Sequence, residues 1–342
     1  MKTLLHSDPL WGILALSVSL AFGVGNSNHL EISALSSSSP SMRPTALVTG
    51  STDGIGVTTA KNLAAKGYNV LIHGRSDTRI KEAAETVESF CRHHSDDPGR
   101  VVPLPAADVS TVQGCEKLVS NVNSTLDNNQ DLSALTVLMN NAGVYEESFS
   151  QTTDGLETTF AVNVLAPFVI TSLLLPTLLA QPKSRIVIAS SISQGRSIRD
   201  WEDVAYCKRG YSAHGAYSDS KLLDAMLSME IASRLQKAGL GTDRITCNCL
   251  DPGTVNTKML LAGWGRIGID AQDALDETFL CSSTKVEHLT GEYFVGQSPR
   301  RASSTAYDLE ERDKLWTLLS SFAFEAAKSW DSTLSTANSA EK

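Results

Sequence analysis

From residue 45 onward, short apolar runs alternate with amphipathic stretches, and this alternation constrains the fold more than any other feature of the chain. The apolar runs fall at 46–49, 69–73, 101–104, 135–139, 185–189, 244–250 and 292–295. Segments with helical character lie among them at 54–66, 77–91, 111–126, 153–180 and 213–238, with a last one at 310–322. Within 77–91, Ile80, Ala83, Ala84, Val87 and Phe90 recur at intervals of three and four, the spacing of one helix face. Apolar runs without polar alternation suit strands buried on both faces. Regular alternation of such strands with helices builds a parallel sheet covered on both sides. The spacing therefore predicts an α/β fold, with one doubly wound domain over 45–325. Its mainly parallel seven-stranded sheet carries helices on both faces. Residues 326–342 read as a flexible tail.

Residues 1–44 have a different texture. An apolar run over 9–25 follows a short start carrying Lys2, and a Ser-rich stretch nearly free of charge comes next. This order predicts a targeting signal or a membrane anchor, then a linker. Ser19 and Ala21 are small residues placed to precede a cleavage site at Phe22. A plastid or an endomembrane such as the ER suits this order. A chain starting at Met42 would instead be cytoplasmic, so signal peptide, membrane anchor and alternative start all stay open. The charge balance narrows the function classes. Lys plus Arg number 29 and Asp plus Glu 38, for a net charge of −9. No basic surplus exists to displace counterions from a nucleic acid or to form a polybasic membrane patch. The six cysteines contain no Cys-x-x-Cys pair, so no metal site is expected.

The first apolar run leads into Thr49-Gly50-Ser51-Thr52-Asp53-Gly54-Ile55-Gly56 and then a helix. Glycines at this spacing let backbone approach a pyrophosphate, turn tightly and pack helix against strand. The helix N-terminus then presents unpaired N–H groups to an anion. Strand, glycine turn and helix in that order predict a dinucleotide site using Gly50, Ser51, Thr52, Asp53, Gly54, Ile55 and Gly56. The second run ends in His73-Gly74-Arg75-Ser76. An acidic residue there would select NAD(H) through the ribose hydroxyl. Arg75 can instead pair with a 2′-phosphate, which favours NADP(H).

Four motifs occur in order: the glycine turn, Asn140-Asn141-Ala142-Gly143, the Ser190-Ser191 pair and Tyr217-x-x-x-Lys221. On these residues the chain, over about 45–320, resembles the short-chain dehydrogenase/reductase superfamily, a Rossmann-type fold. Tyr217 and Lys221 are four apart in a helical segment and so share a face. A nearby ammonium favours the phenolate and makes a phenol a better proton donor and acceptor. The resemblance implies that Tyr217 is the general acid/base and that Lys221 also reaches the cofactor ribose. It implies that Ser191 bonds the substrate oxygen and that Asn163 holds a water relay toward Lys221. It further implies cofactor contacts by Asp108, Val109, Asn141, Ala142, Gly143, Pro252, Gly253, Val255 and Thr257. Asp108 could equally cap the helix that follows. Asp251 receives no role.

The 26-residue interval between Ser191 and Tyr217 is similar to the retinol dehydrogenase-like and protochlorophyllide reductase-like branch. That branch implies NADP-dependent interconversion of an alcohol and a carbonyl on a large apolar small molecule. A light-dependent pigment reductase and a non-turning-over NADP-binding sensor or scaffold are the alternatives. Trp201, Tyr206 and Tyr211 in the interval either line an apolar pocket or pack a surface lobe. The segment after Thr257 reads as a lid presenting Met259, Leu260, Leu261 and Trp264 to the substrate, or as a short amphipathic helix packed on the core. By analogy with the family, a homodimer would form through the two long helices.

Overall fold

The computed structural model describes residues 43–129, 131–132, 135–206 and 208–340. The targeting or anchor reading falls on residues 1–44 and lies, up to residue 42, outside the described residues. Within the described chain, strands and helices alternate in the order the apolar runs predict. β1 (Thr45–Val48), α1 (Gly54–Ala65), β2 (Asn69–Ile72), α2 (Asp77–His94), β3 (Val101–Pro103), α3 (Val112–Asp127) and β4 (Leu135–Asn140) form the first half. The second half opens with α4 (Thr158–Phe160), which passes through a π-helical turn (Ala161–Leu165) into α5 (Ala166–Leu179). It continues through β5 (Ser184–Ala189), α6 (Ala213–Lys237), β6 (Ile245–Asp251), α7 (Lys258–Gly263) and α8 (Asp276–Ser282). The last elements are β7 (Tyr293–Val295), β8 (Ser298–Arg300), α9 (Leu309–Phe322) and α10 (Phe324–Ala340).

The sheet has eight strands in the order β3-β2-β1-β4-β5-β6-β7-β8. All pair in parallel except β7 and β8, so the expected seven strands gain one antiparallel edge. The extra strand follows a two-residue hairpin with Gly296 and Gln297 both at positive φ, the geometry that matches strand twist. Its sequence, Ser-Pro-Arg, carries no apolar signal. Both sheet faces are buried. Ala46, Val48, Val70 and Ile72 join one core under α1, α2 and α8, while Leu47 and Leu71 join the core on the other side. That two-sided burial is why these strands read as unbroken apolar runs.

Two boundaries differ from expectation. The long helix starts at Thr158 rather than 153, because Gly155 takes φ +79° and the buried Glu157 carboxylate accepts from the N–H groups of Thr159 and Phe160. The expected flexible tail is instead α10. Ala323, Ala326, Ala327 and Trp330 form a buried stripe at helical spacing against the main core. Trp330 is fully buried, with its ring 5.1 Å from Trp316 of α9, which stands edge-on to Phe168 of α5 at 5.1 Å. On α6, Glu230 pairs with Arg234 at 2.8 Å and with Arg312 of α9 at 3.5 Å. The chain's own α9 and α10 thus pack on α6 and α5, the two long helices through which a homodimer was expected. The apolar helix Thr158–Leu179 is long enough to cross a bilayer, but most of it is buried in this core.

Candidate active site

The strand order reverses between β1 and β4, and there the loops leaving their C-terminal ends open a crevice. The glycine turn forms one wall. Gly50 and Gly54 take φ +66° and +54°, a region that costs a side-chain-bearing residue energy. A Cβ on Gly56 would lie 2.5 Å from the Gly50 carbonyl oxygen and from Asn141 Nδ2. Asn141 braces this turn by donating from Nδ2 to the Thr49 carbonyl at 2.7 Å, and Thr49 Oγ1 accepts from the N–H groups of Asn141 and Ala142. Gly143 stands against the Asn163 amide.

His73 is a second brace, and its residue type alone gave no signal for that role. Its Nδ1 accepts from the Gly50 N–H at 3.1 Å, and its Nε2 lies 3.1 Å from the Ala107 carbonyl. Burial pushes its pKa down to about 4, so the ring is neutral and carries its proton on Nε2. Ser51 Oγ accepts from the His73 N–H at 3.0 Å. Asp53 caps α1 by accepting from the Gly54 N–H, and it pairs with Arg79 at 3.1 Å and Lys258 at 2.6 Å. Burial raises its pKa, but Lys258, the Gly54 N–H and Arg79 outweigh that and hold it below the usual carboxylate range. Thr52 packs its methyl where a Cβ on Gly74 would stand.

Arg75 is exposed beyond the end of β2. The neighbouring Asp77 is engaged elsewhere, accepting from the Ala106 N–H at 2.8 Å. Asp108 does not cap α3. Its carboxylate accepts from the Ser110 N–H, and Thr111 is the cap. Val109 is buried in the core. Arg75 and Asp108 therefore sit on the loops after β2 and β3, away from Ser191 and Tyr217.

Ser191, Tyr217, Lys221 and Asn163 converge from three elements. Ser190 turns its hydroxyl to the Lys221 carbonyl at 2.6 Å, whereas Ser191 lines the cleft beside Tyr217 and its Oγ accepts from the Ser193 N–H at 3.1 Å. Burial raises the Tyr217 pKa against the opposing pull of Lys221 and of the Ser191 hydroxyl. Lys221 is buried, and its ammonium donates to the Ala189 carbonyl and to Asp224, both at 2.8 Å. Burial alone would lower the Lys221 pKa, but Asp224 and Tyr217 reverse this and raise it. The Asn163 amide is bound on both sides. Its Oδ1 accepts from the Val144 N–H at 2.8 Å, and its Nδ2 donates to the Val144 carbonyl and to Ser220 Oγ. Its backbone lies in the π-helical turn, where Pro167 lacks the N–H that an α-helix would offer to the Asn163 carbonyl.

A cleft beside these groups is lined by Ile55, Ser191, Ile192, Tyr217, Pro252, Gly253, Val255 and Thr257, and by Met259, Leu260, Trp264 and Ile267. The segment after Thr257 is a short helix, α7, with no buried residue, so it is not packed on the core. Leu261 points away and is exposed. Trp264 lies 5.5 Å from the Tyr217 ring, with Tyr145 5.0 Å and His214 4.9 Å from Trp264. Tyr145 was not expected here. Its only sequence signal is an aromatic two positions after Gly143. A Cβ on Gly263 would stand 3.1 Å from the Tyr145 ring, so glycine there allows the approach. Asp251 ends β6 and itself lines the cleft beside Ile192 and Gly253; burial raises its pKa, and the backbone N–H groups of those two residues oppose the rise. Trp201, Tyr206 and Tyr211 line no part of this cleft. They bond Glu311, Asp219 and the Glu146 carbonyl respectively, so the 193–212 interval is a packed lobe fastened to α6.

On the opposite face of the sheet from α6, Glu277 of α8 is fully buried and accepts from Thr59 Oγ1 at 2.8 Å. Burial pushes its pKa up to about 7, well above an unfolded carboxyl at 4.5. This group favours the fold while it is protonated, and the advantage is lost as pH rises from about 4.5 through 7. Glu277→Gln is therefore expected to be more stable than the parent at pH 8 by about 1–3 kcal/mol, and equal to it at pH 5. Thermal melts at the two pH values check this, and a larger gain at pH 5 would contradict it.

Residues 44–263 match the family model described as short chain dehydrogenase. Retinol dehydrogenase 13 of Mus musculus is 30% identical over 290 residues, covering 80% of this chain and 81% of that protein. Polyprenol dehydrogenase of Mus musculus is 29% identical, over 79% of this chain and 81% of its own length. Short-chain dehydrogenase TIC 32 A, chloroplastic, of Brassica napus is 28% identical, over 80% and 86%. A solved structure of an uncharacterised protein from Mycobacterium paratuberculosis superposes with a TM-score of 0.63 at 25% identity, covering 83% of this chain and 94% of that one. With the glycine turn, the reversed strand order and this match in agreement, the chain belongs to the short-chain dehydrogenase family and is an alcohol/carbonyl oxidoreductase.

Proposed function

We propose that the chain interconverts an alcohol and a carbonyl on a large apolar substrate with NADP(H), as a retinol dehydrogenase-like enzyme. The observation that carries this reading is that Ser191 and Tyr217 line one cleft together with Ile55 of the glycine turn and with Met259, Leu260 and Trp264. The turn fits a dinucleotide, because Gly50 and Gly54 take positive φ and no Cβ at Gly56 could be accommodated against the Gly50 carbonyl and Asn141, so the backbone turns tightly at the N-terminus of α1. Gly50 to Gly56 would hold the pyrophosphate, Arg75 a 2′-phosphate, and the 252–257 segment the nicotinamide end. When bound in its reduced form, the nicotinamide supplies a hydride to the carbonyl carbon. Ser191 donates a hydrogen bond to the substrate oxygen, and Tyr217 gives that oxygen a proton. Lys221 steadies the phenolate left behind, and the Asn163 carbonyl, to which Pro167 offers no N–H, would hold a water on the way from Lys221 to solvent.

The names of the relatives support an apolar alcohol. So do the exposed Ile192 and Ile267, which give the cleft an apolar surface. The purified protein is expected to oxidise NADPH with retinal and medium-chain alkanals and to use NADH more weakly. Arg75→Ser should raise KM for NADPH by roughly 10–100-fold, the worth of a charge-assisted hydrogen bond, and leave NADH unaffected. Tight NADPH binding without turnover across the panel would favour the sensor reading instead. Equal use of NADH would remove the NADP preference.

A further inference from the structure

Tyr217, Lys221 and Asp224 stand at positions i, i+4 and i+7 of α6 and so form one stripe on that helix. Asp224 is fully buried. One of its carboxylate oxygens accepts from the Lys221 ammonium at 2.8 Å, and the other has no partner. A half-satisfied carboxylate in the core is costly, and a fold built only for stability would place an apolar residue there. Lys221 Nζ is held at the same time by the Ala189 carbonyl, so two of its three donors point into the core and not toward Tyr217. The ammonium lies 5.7 Å from the Tyr217 ring centre.

We propose that Asp224 is a positioning residue that anchors the Lys221 ammonium from behind and offsets its charge as felt by Tyr217. The inference rests on the reading of Tyr217 as the proton-transferring group. Other groups face this trio from each neighbouring element. Ser191 comes from the end of β5, Asp251 from the end of β6 and Cys249 from within β6. Glu277 of α8 acts on Lys221 from the other face of the sheet through its charge and makes its hydrogen bond with Thr59. Tyr145 follows β4, and Trp264 follows α7. Among the described residues, Asp224 is the charged group in contact with the ammonium. With the carboxylate ionised, Lys221 already has an anionic partner, and its hold on a Tyr217 phenolate is weaker than it would be alone. Without it, the buried ammonium is uncompensated, and the Tyr217 phenolate becomes the anion available to it.

The test is a phenolate absorbance titration of the full chain without substrate, taken as the difference between each protein and its Tyr217→Phe counterpart. This isolates the Tyr217 signal from the other tyrosines and does not depend on turnover. In Asp224→Asn the phenolate is expected to appear at lower pH by about 1 or more. Asp224→Glu, which keeps the charge, should titrate close to the parent. The alkaline limb of NADPH-dependent reduction should move with the absorbance midpoint. If Asp224→Asn does not fold, Asp224→Ala is read by the same criterion. An unchanged or higher midpoint in a folded variant overturns the proposal, as does an equal shift in Asp224→Glu. Absence of turnover in the parent protein would count against the oxidoreductase reading and leave the absorbance result to decide the role of Asp224.

Discussion

Tyr217→Phe is expected to lower kcat for carbonyl reduction by about 10²–10⁴-fold, the usual worth of a positioned general acid. NADPH binding should survive, because the ring, its 5.7 Å contact with Lys221 and the glycine turn are all retained. Cofactor affinity by fluorescence, set beside turnover, separates the two effects. A variant with full activity would remove Tyr217 from the chemistry. The pH dependence of the parent has a definite sign. Burial holds Tyr217 protonated beyond the ordinary phenol range despite Lys221. A protonated phenol is ready to donate, so reduction is expected to hold across neutral pH and to fall only at alkaline pH. Alcohol oxidation needs the phenolate and is expected to rise over that same alkaline range.

Trp330→Ala is expected to cost about 3–5 kcal/mol, as large aromatic truncations in cores do. The side chain is fully buried and sits at the end of a stack running through Trp316 to Phe168 on α5. For a chain of this size the loss corresponds to a fall in Tm on the order of 10 °C. Activity at low temperature should persist, since α10 touches no residue of the cleft. Trp330→Phe should recover much of the loss. A Tm within a degree or two of the parent would mean that α10 does not share the core.

The sequence was most legible where one physical rule acts alone. Two-sided burial made β1, β2, β4, β5 and β6 readable as apolar runs, and the glycine spacing marked a turn that admits no Cβ at Gly56. It was least legible where small or polar residues carry the packing. The stripe of α10 is mostly alanine, so its amphipathic pattern is faint although Trp330 anchors it. β8 is set by the positive-φ hairpin at Gly296 and Gln297 and not by its own residues. Among site residues, the motifs located Ser191, Tyr217 and Lys221 side by side. They gave no account of His73, Tyr145 or Asp224, whose roles depend on partners 34 positions away in the case of His73 and Ala107. Asp53 and Asn141 were expected at the cofactor, and their side chains are spent on the protein itself, as cap and brace.

The position of β1 in the sheet also bears on how the chain assembles. β1 meets β2 after a short crossover, but its other neighbour is β4, and Thr49 bonds Met139 across 90 residues. Closing so long a segment costs more chain entropy than the local β-α-β units do, and topologies of this kind fold slowly. The Thr49–Asn141 brace that shapes the glycine turn exists only once that pairing is made. The surface that would receive the pyrophosphate is therefore not contained in the β1-α1-β2 unit that bears the glycines. It belongs to the whole sheet, and a folding chain acquires it with its most distant central contact.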